Sequence, residues 1–267
     1  MEIVVFVKQV PDPECGSESF TINAAELRVE PRGVLPVLSP FDENALEAAL
    51  RIKESCAVGD VKITAVSAGK KISRTVVETA LAVGADAFVK IEDKGFASSV
   101  LDSFATASVL AATMKKMGAY DLILAGRQAA DWNAGQVGAC VAHLLGVPAI
   151  ALARKVEVHG SYTTVERLTS AGYDKVKAPL PAVVVVSNEV GVLRYSNIAQ
   201  RRAARKKPVV SWSAADIGLA QPLRCRIVLT KLFAPESRQA HCVFASGETA
   251  ADAGRNLAQR LHSNGIL

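Results

Sequence analysis

The stretch YDLILAGRQAADWNAGQVGACVAHLLGVPAI (residues 120–150) has the pattern of a strand, a loop of small residues, a helix and the start of a second strand. Residues 122–125 are a short apolar run that is typical of a buried strand. A helix is predicted over residues 135–146, where Gly146 ends it, and Pro148 begins the next strand. This order of elements is the repeating unit of a parallel sheet.

The same alternation extends upstream to the start of the chain. Apolar runs predict strands, and stretches with helical spacing predict helices. The predicted strands cover residues 3–7, 61–67 and 88–91, and the predicted helices begin at Ser39, at Ser73 and at Ser103. At the first of these, Ser39 is the expected N-cap and Asp42 is expected to close a capping box. The alternation predicts a parallel sheet that is covered by helices on both faces.

The pattern changes after about residue 150. Residues 155–158 and 162–168 predict a hairpin around His159-Gly160, and residues 182–187 predict a very apolar, central strand. Residues 194–211 are basic and interrupted. The chain is therefore expected to consist of one α/β body, residues 1–220, and a C-terminal arm, residues 221–267.

Composition excludes several classes of protein. Half of the 267 residues are hydrophobic and the net charge is only +5, which argues against disorder. The five cysteines, among them Cys56, form no Cys-x-x-Cys pair, so neither a disulfide framework nor a zinc site is expected. The opening MEIVVFVKQVPD predicts a strand and a turn, and no apolar run approaches the roughly 20 residues that span a bilayer. A soluble cytoplasmic protein without a targeting segment is expected.

Four loops that are expected near the carboxyl ends of the predicted strands carry polar or small residues: residues 8–12, 39–42, 67–70 and 126–136. Ligands of parallel sheets bind where such loops converge, and two of these loops lead into helices whose free amides favour a phosphate. In residues 126–138 small residues allow a close backbone approach, while Asp131, Asn133 and Gln136 offer hydrogen bonds. The segment is neither a Walker A loop nor G-x-G-x-x-G. A nucleotide site and a set of plain turns both remain open from the pattern alone.

The main basic cluster begins at Arg194 and continues to Lys207. Nucleic-acid binding is not expected, because only Tyr195 offers an aromatic ring for stacking. A solvated helix face and a docking surface with Ile198 as its apolar anchor remain open. The four histidines, among them His241, are scattered and form no catalytic arrangement, so no catalytic residue is expected and a cofactor would have to supply the chemistry.

Together these segments resemble the β subunit of electron transfer flavoproteins. The resemblance rests on VFVKQVPD (5–12), SPFDENALEAALRIKE (39–54), ITAVSAG (63–69), YDLILAGRQAADWNAGQVG (120–138), VERL (165–168), APLPAVVVVS (178–187) and RYSNIAQRRAARKK (194–207). It covers roughly residues 1–220. It implies a doubly wound, mostly parallel α/β fold, Rossmann-like or adenine-nucleotide α-hydrolase-like, with a C-terminal extension that wraps the partner.

The resemblance also implies the function. The chain would pair with an α subunit that holds FAD, and would itself hold AMP or, as in electron-bifurcating members, a second FAD. Electrons would pass from an acyl-CoA dehydrogenase of fatty acid β-oxidation toward a membrane quinone oxidoreductase, with no catalytic residue and no metal in this chain. The implied nucleotide contacts are Phe6, Ser39, Pro40, Phe41, Asp42, Ala68, Gly126, Arg127, Gln128, Ala129, Asp131, Asn133, Ala134, Gly135, Gln136 and Val137. The implied partner-docking residues are Arg194, Tyr195, Ile198 and Arg201.

Two segments depart from the family pattern. The docking loop usually reads close to RY-x-x-LPNI, but here Ser196-Asn197-Ile198-Ala199-Gln200 follows Arg194-Tyr195. The proline is missing and the anchor is Ile198 instead of Leu, so the identity of the dehydrogenase is open. Trp132 stands where bifurcating members carry a glycine, and this bulky ring favours AMP over a second FAD. Two rivals remain, a non-redox nucleotide-binding regulator of the universal-stress type and a scaffold subunit whose nucleotide site has decayed.

Overall fold

The structure, a computed structural model, describes residues 1–55, 60–96, 102–219, 223, 225–235 and 242–267. Cys56, His241 and the expected boundary between residues 220 and 221 lie outside the described residues. The chain forms two compact units, Met1–Leu232 and Phe233–Leu267.

The first unit contains the strands and most of the helices. The strands are β1 (Glu2–Phe6), β2 (Gln9–Pro11), β3 (Phe20–Asn23), β4 (Arg28–Pro31), β5 (Pro36–Leu38), β6 (Lys62–Gly69), β7 (Ala87–Glu92), β8 (Leu122–Gly126), β9 (Ala149–His159), β10 (Tyr162–Thr169), β11 (Gly172–Pro179), β12 (Ala182–Val186) and β13 (Val209–Trp212). The helices are α1 (Pro40–Ser55), α2 (Arg74–Val83), α3 (Ser103–Met117), α4 (Val137–Leu145) and α5 (Ile198–Ala204). The second unit contains α6 (Ala250–Ser263).

Among the described residues, nine strands form one sheet in the order β11-β10-β9-β12-β8-β1-β6-β7-β13. All neighbours from β9 to β13 along this order run parallel, whereas β10 pairs antiparallel with β9 and with β11. The mostly parallel α/β fold is therefore confirmed. β12 lies inside the sheet and is buried at every residue, as its uninterrupted apolar sequence predicted.

Hydrophobic cores cover both faces of this sheet. Along β1 the side chains of Ile3 and Val5 belong to one core, to which α1 and α2 contribute, and those of Val4 and Phe6 belong to the other, to which α3 and α4 contribute. Successive strand residues point to opposite faces, so a strand buried on both sides reads as an uninterrupted apolar run.

The predicted helix ends agree with the observed caps. Helix α2 begins after Ser73, whose hydroxyl accepts a hydrogen bond from the N–H of Thr75, and it ends at Gly84. Helix α3 covers the predicted residues and begins after Asp102, whose carboxylate accepts from the N–H of Ala105. These side chains satisfy helix amides that lack partners within the helix.

Several elements were not predicted, among them β2, β5, β11, β13 and α6. β11 carries mostly exposed polar residues without a regular alternation, and β13 is only four residues long. Helix α6 has a recognisable signal, since Thr249 and Asp252 form a capping box at its start. Within the described ranges, no helix has the length and apolar character needed to cross a bilayer.

Candidate functional site

A cavity of about 620 Å³ lies at the carboxyl ends of the central strands. From β1 the chain proceeds outward to β6 and β7 on one side, and then returns to place β8 on the other side of β1. Because the connections reverse direction there, the loops after β1 and β8 separate and leave a crevice, the usual ligand position in such sheets. The volume lies within the range of small-molecule sites.

The carboxylate of Asp42 joins the three chain segments at this crevice. One of its oxygens accepts from the N–H of Lys8, at 2.8 Å, and the other from the N–H of Gly126, at 3.2 Å. The expected capping box is therefore wrong, since the carboxylate bonds the loops after β1 and β8, and the N–H of Ser39 donates to the carbonyl of Lys8. Burial raises the pKa of Asp42 to about 7, against the opposing effect of these two hydrogen bonds.

An ion pair spans the crevice from one loop to the other. Lys8 Nζ, after β1, donates to both carboxylate oxygens of Asp131, after β8, at 2.7 and 2.8 Å. Both side chains are partly exposed, so the pair orients the loop more than it stabilises the fold. Lys8 and Asp131 both line the cavity.

The loop between β8 and α4 forms much of the cavity wall. Gly126 packs so closely on α1 that a Cβ atom there would lie 2.5 Å from the backbone of Phe41. Helix α4 begins after Gln136 without a hydrogen bond from a capping side chain. Its first amides therefore remain available to an anion and carry the positive end of the helix dipole.

Two buried polar atoms at the strand ends lack a hydrogen-bond partner in the part of the chain that the structure describes. They are Ser67 Oγ, near the end of β6, and Arg127 Nε, directly after β8. Buried polar groups in folded proteins are nearly always hydrogen-bonded, and Arg127 lines the cavity, so its Nε indicates where a polar ligand group would fit. Ser67 does not line the cavity.

Most of the implied nucleotide contacts line the cavity. They are Phe6, Asp42, Ala68, Gly126, Arg127, Gln128, Ala129, Asp131, Ala134, Gly135, Gln136 and Val137. Ser39, Pro40, Phe41 and Asn133 do not line it. Ser39 Oγ instead accepts from the N–H of Ala130 at 3.3 Å, and the Phe41 ring lies 5.1 Å from the Arg127 guanidinium.

Sequence reasoning missed one wall of the cavity, residues 227–230. The carboxylate of Asp102 holds this segment by accepting from the N–H groups of Arg226 and Ile227, at 2.5 and 2.8 Å. Burial alone would raise the pKa of Asp102, but these and further backbone hydrogen bonds outweigh it and lower the pKa. An N-cap at Asp102 was recognisable from sequence, whereas residues 227–230 carry no motif.

The implied docking residues lie together on the segment before α5 and at the start of that helix. Tyr195 is 92% exposed and Ile198 is 72% exposed. Arg194 pairs with Glu47 and Glu54 of α1, and Arg201 Nε donates to Ser196 Oγ at 3.2 Å. Across the described ranges, no cluster of three or more His, Cys, Asp or Glu side chains is arranged to hold a metal ion.

Comparisons with known proteins point to one family. A family model for the electron transfer flavoprotein domain matches residues 27–217. The chain is 33% identical, over the whole of both chains, to the electron transfer flavoprotein subunit beta of Thermoanaerobacterium thermosaccharolyticum. It is 32% identical to the caffeyl-CoA reductase-Etf complex subunit CarD of Acetobacterium woodii, over 82% of this chain and 81% of that one. It is 30% identical to protein FixA of Rhizobium meliloti, over 90% of this chain and 83% of that one.

Proposed function

The chain belongs to the electron transfer flavoprotein β-subunit family, and from this membership we propose that it pairs with an α subunit and carries electrons from an acyl-CoA dehydrogenase toward a quinone-linked acceptor. When bound in the heterodimer, FAD supplies the one- and two-electron chemistry. The residues of this chain bind, orient and shield, and none of them is required as an acid or a base.

We propose further that the cavity holds an adenine nucleotide, AMP in our preferred assignment. The observation that carries this proposal is the coincidence of three features at one switch point: the uncapped start of α4, the unpartnered Arg127 Nε and the close backbone packing of Gly126. The α4 amides and Arg127 suit a phosphate. Trp132 lines the cavity, and its bulk supports AMP over a larger second FAD.

The C-terminal arm is proposed to cover part of the α subunit. Within the second unit, Val243 is 65% exposed, Phe244 85% and Leu257 47%. Helix α6 has no buried residue of its own. Apolar side chains that remain exposed in the isolated chain are typical of a surface that another subunit covers.

The nucleotide content of the purified heterodimer tests the cavity assignment. We expect one FAD and one AMP, released by denaturation and separated by chromatography. Asp131→Ala removes the ion pair that spans the crevice, so we expect AMP to be held about fivefold more weakly and the heterodimer to be less stable, from a loss of about 1 kcal/mol.

Asp174→Ala is the matched control, because Asp174 pairs with Arg167 on the exposed β10–β11 hairpin. It should leave the AMP content unchanged. Two FAD and no AMP would identify a bifurcating type, and a colourless complex would favour a non-redox regulator. An Asp131→Ala heterodimer with wild-type AMP content and stability would favour a decayed site.

A second prediction concerns the docking anchor. Ile198→Ala should slow electron transfer from a butyryl-CoA-reduced acyl-CoA dehydrogenase about tenfold when the heterodimer concentration limits the rate. The flavin content should not change. The reason is that a central apolar anchor contributes about 1–2 kcal/mol to the binding free energy of such contacts. Leu35→Ala is the control, since Leu35 is equally exposed, at 73%, in a different loop. An unchanged rate for Ile198→Ala would remove the anchor assignment.

A further inference from the structure

One face of α1 holds the segment that leads into the docking residues. Asn44, Glu47, Arg51 and Glu54 recur every three or four residues and therefore lie along one side of the helix. Asn44 Nδ2 donates to the carbonyl of Gly191 at 2.6 Å. Three residues later along that segment, Arg194 reaches the two glutamates.

Glu47 is the centre of this contact. Its carboxylate accepts from the backbone N–H of Arg194 at 3.2 Å, and from the guanidinium Nε and Nη2 at 3.0 Å each. Glu54 accepts from Nη1 and Nη2 of the same guanidinium. The side chain of Glu47 is buried and also accepts from Arg51 Nε at 2.9 Å. Every nitrogen of the Arg194 guanidinium thus already donates within the chain.

The energetics favour a stable contact. Burial would raise the pKa of Glu47, but the bonds from Arg194 and Arg51 outweigh it and lower the pKa, so the carboxylate is ionised at neutral pH. A buried carboxylate that loses its partner is strongly unfavourable, and a bidentate pair of this kind has a defined geometry. The contact therefore restrains both the backbone and the side chain of Arg194.

The residues that follow are exposed but held at both ends. Tyr195 and Ile198 project from the surface; Tyr195 directly follows the Arg194 contact, and Ile198 is the first residue of α5. At the α5 side, Asn197 and Gln200 form a capping box that fixes the start of the helix. A short segment restrained at both ends loses less conformational entropy when a partner binds it.

We propose that Glu47 is a positioning residue for partner docking, which holds the Tyr195–Ile198 segment in its presented orientation through Arg194. This inference rests on the proposed function, because it assumes that the segment meets the electron donor. In this proposal Arg194 bonds to α1 of its own chain and does not contact the electron donor, whereas Tyr195 and Ile198 do.

Glu47→Gln in the heterodimer tests the proposal by two readouts. Hydrogen exchange of the Arg194 amide should become at least about tenfold faster, since the charged acceptor of its N–H is lost. With a butyryl-CoA-reduced acyl-CoA dehydrogenase as donor, the KM for the heterodimer should rise about fivefold while kcat and flavin content stay unchanged. The double variant Glu47→Gln/Arg194→Gln should be no worse than Glu47→Gln alone.

Glu166→Gln is the matched control, because Glu166 is a partly buried carboxylate that pairs with Arg154 in the β9–β10 region. It should change neither readout.

Should Glu47→Gln fail to fold, Glu54→Gln removes only the exposed half of the contact and should shift both readouts less, in the same direction. Unchanged exchange or an unchanged KM in Glu47→Gln overturns the proposal. If the wild-type heterodimer accepts no electrons from the dehydrogenase, the proposed donor is wrong and the docking role falls with it, while faster exchange would still establish the contact.

Discussion

Replacing Gly126 with alanine is expected to lower the thermal unfolding midpoint by about 10 °C and to abolish nucleotide retention. The added Cβ would lie 2.5 Å from the backbone carbon and oxygen of Phe41 and 2.6 Å from Asp42 Oδ1. Real contacts of this kind do not fall below about 3 Å, so β8 or the first turn of α1 has to move. Neither moves freely, because Asp42 bonds both Lys8 and Gly126. Overpacking of this kind costs about 3 kcal/mol.

Gly254→Ala provides the control for this prediction. Gly254 lies within α6, and a Cβ there would meet no atom within 4 Å. Alanine is the better helix former, so this variant should be as stable as the wild type or up to about 1 kcal/mol more stable. Calorimetry on both variants measures the unfolding midpoint, and chromatography of the denatured protein measures the bound nucleotide. A Gly126→Ala chain with wild-type midpoint and bound nucleotide would show that the crevice does not need this close approach.

The second large effect is a dependence of stability on pH that Asp42 causes. Its pKa rises from 3.8 to about 7 on folding because the carboxyl group is buried. The folded state therefore binds this proton more tightly than the unfolded state does. The resulting stabilisation is complete below about pH 4 and is lost as the pH rises through 7. Between about pH 5.5 and pH 8.5 the free energy of unfolding should fall by about 2 kcal/mol from this group alone.

Asp42→Asn isolates this contribution. The asparagine does not titrate, and all other ionisable groups remain, so the difference between the two pH profiles reports Asp42. The variant offers one acceptor oxygen to the two amides, and it should be less stable than wild type at about pH 5.5. Denaturant unfolding at several pH values measures both effects. Parallel profiles of wild type and Asp42→Asn would contradict the raised pKa.

Local signals in the sequence explain how much of the fold was predictable. α3 followed from its long alanine-rich sequence between Ser103 and Met117, and β12 followed from its unbroken valines. β13 did not, because a strand of four residues obtains its position from pairing with β7, which lies far away in the sequence. Short edge strands carry too few residues for a periodic signal.

The site was predictable as a set of loops but not as a set of contacts. Parallel topology brings the carboxyl ends of β1, β6 and β8 together, so the four loops could be placed at one edge. The hydrogen-bond partners of the individual side chains could not be predicted from the sequence, because the residues that pair are far apart along the chain. Asp42 accepts from the amide of Gly126, and Lys8 donates to Asp131. The local capping box was the nearest alternative for Asp42, and the tertiary contact displaced it.

The strand order has a consequence for synthesis on the ribosome. The outer neighbour of β8 is β12, so this edge stays open until Ala182–Val186 have been synthesised. The outer neighbour of β7 is β13, so that edge stays open until Val209–Trp212 have been synthesised. At about 5–20 residues per second, the nascent chain presents open strand edges on the order of ten seconds. Open edges pair readily with other chains. Newly made copies on neighbouring ribosomes are therefore the most immediate aggregation hazard for this protein, and chaperones that bind before residue 209 emerges are expected to raise its yield.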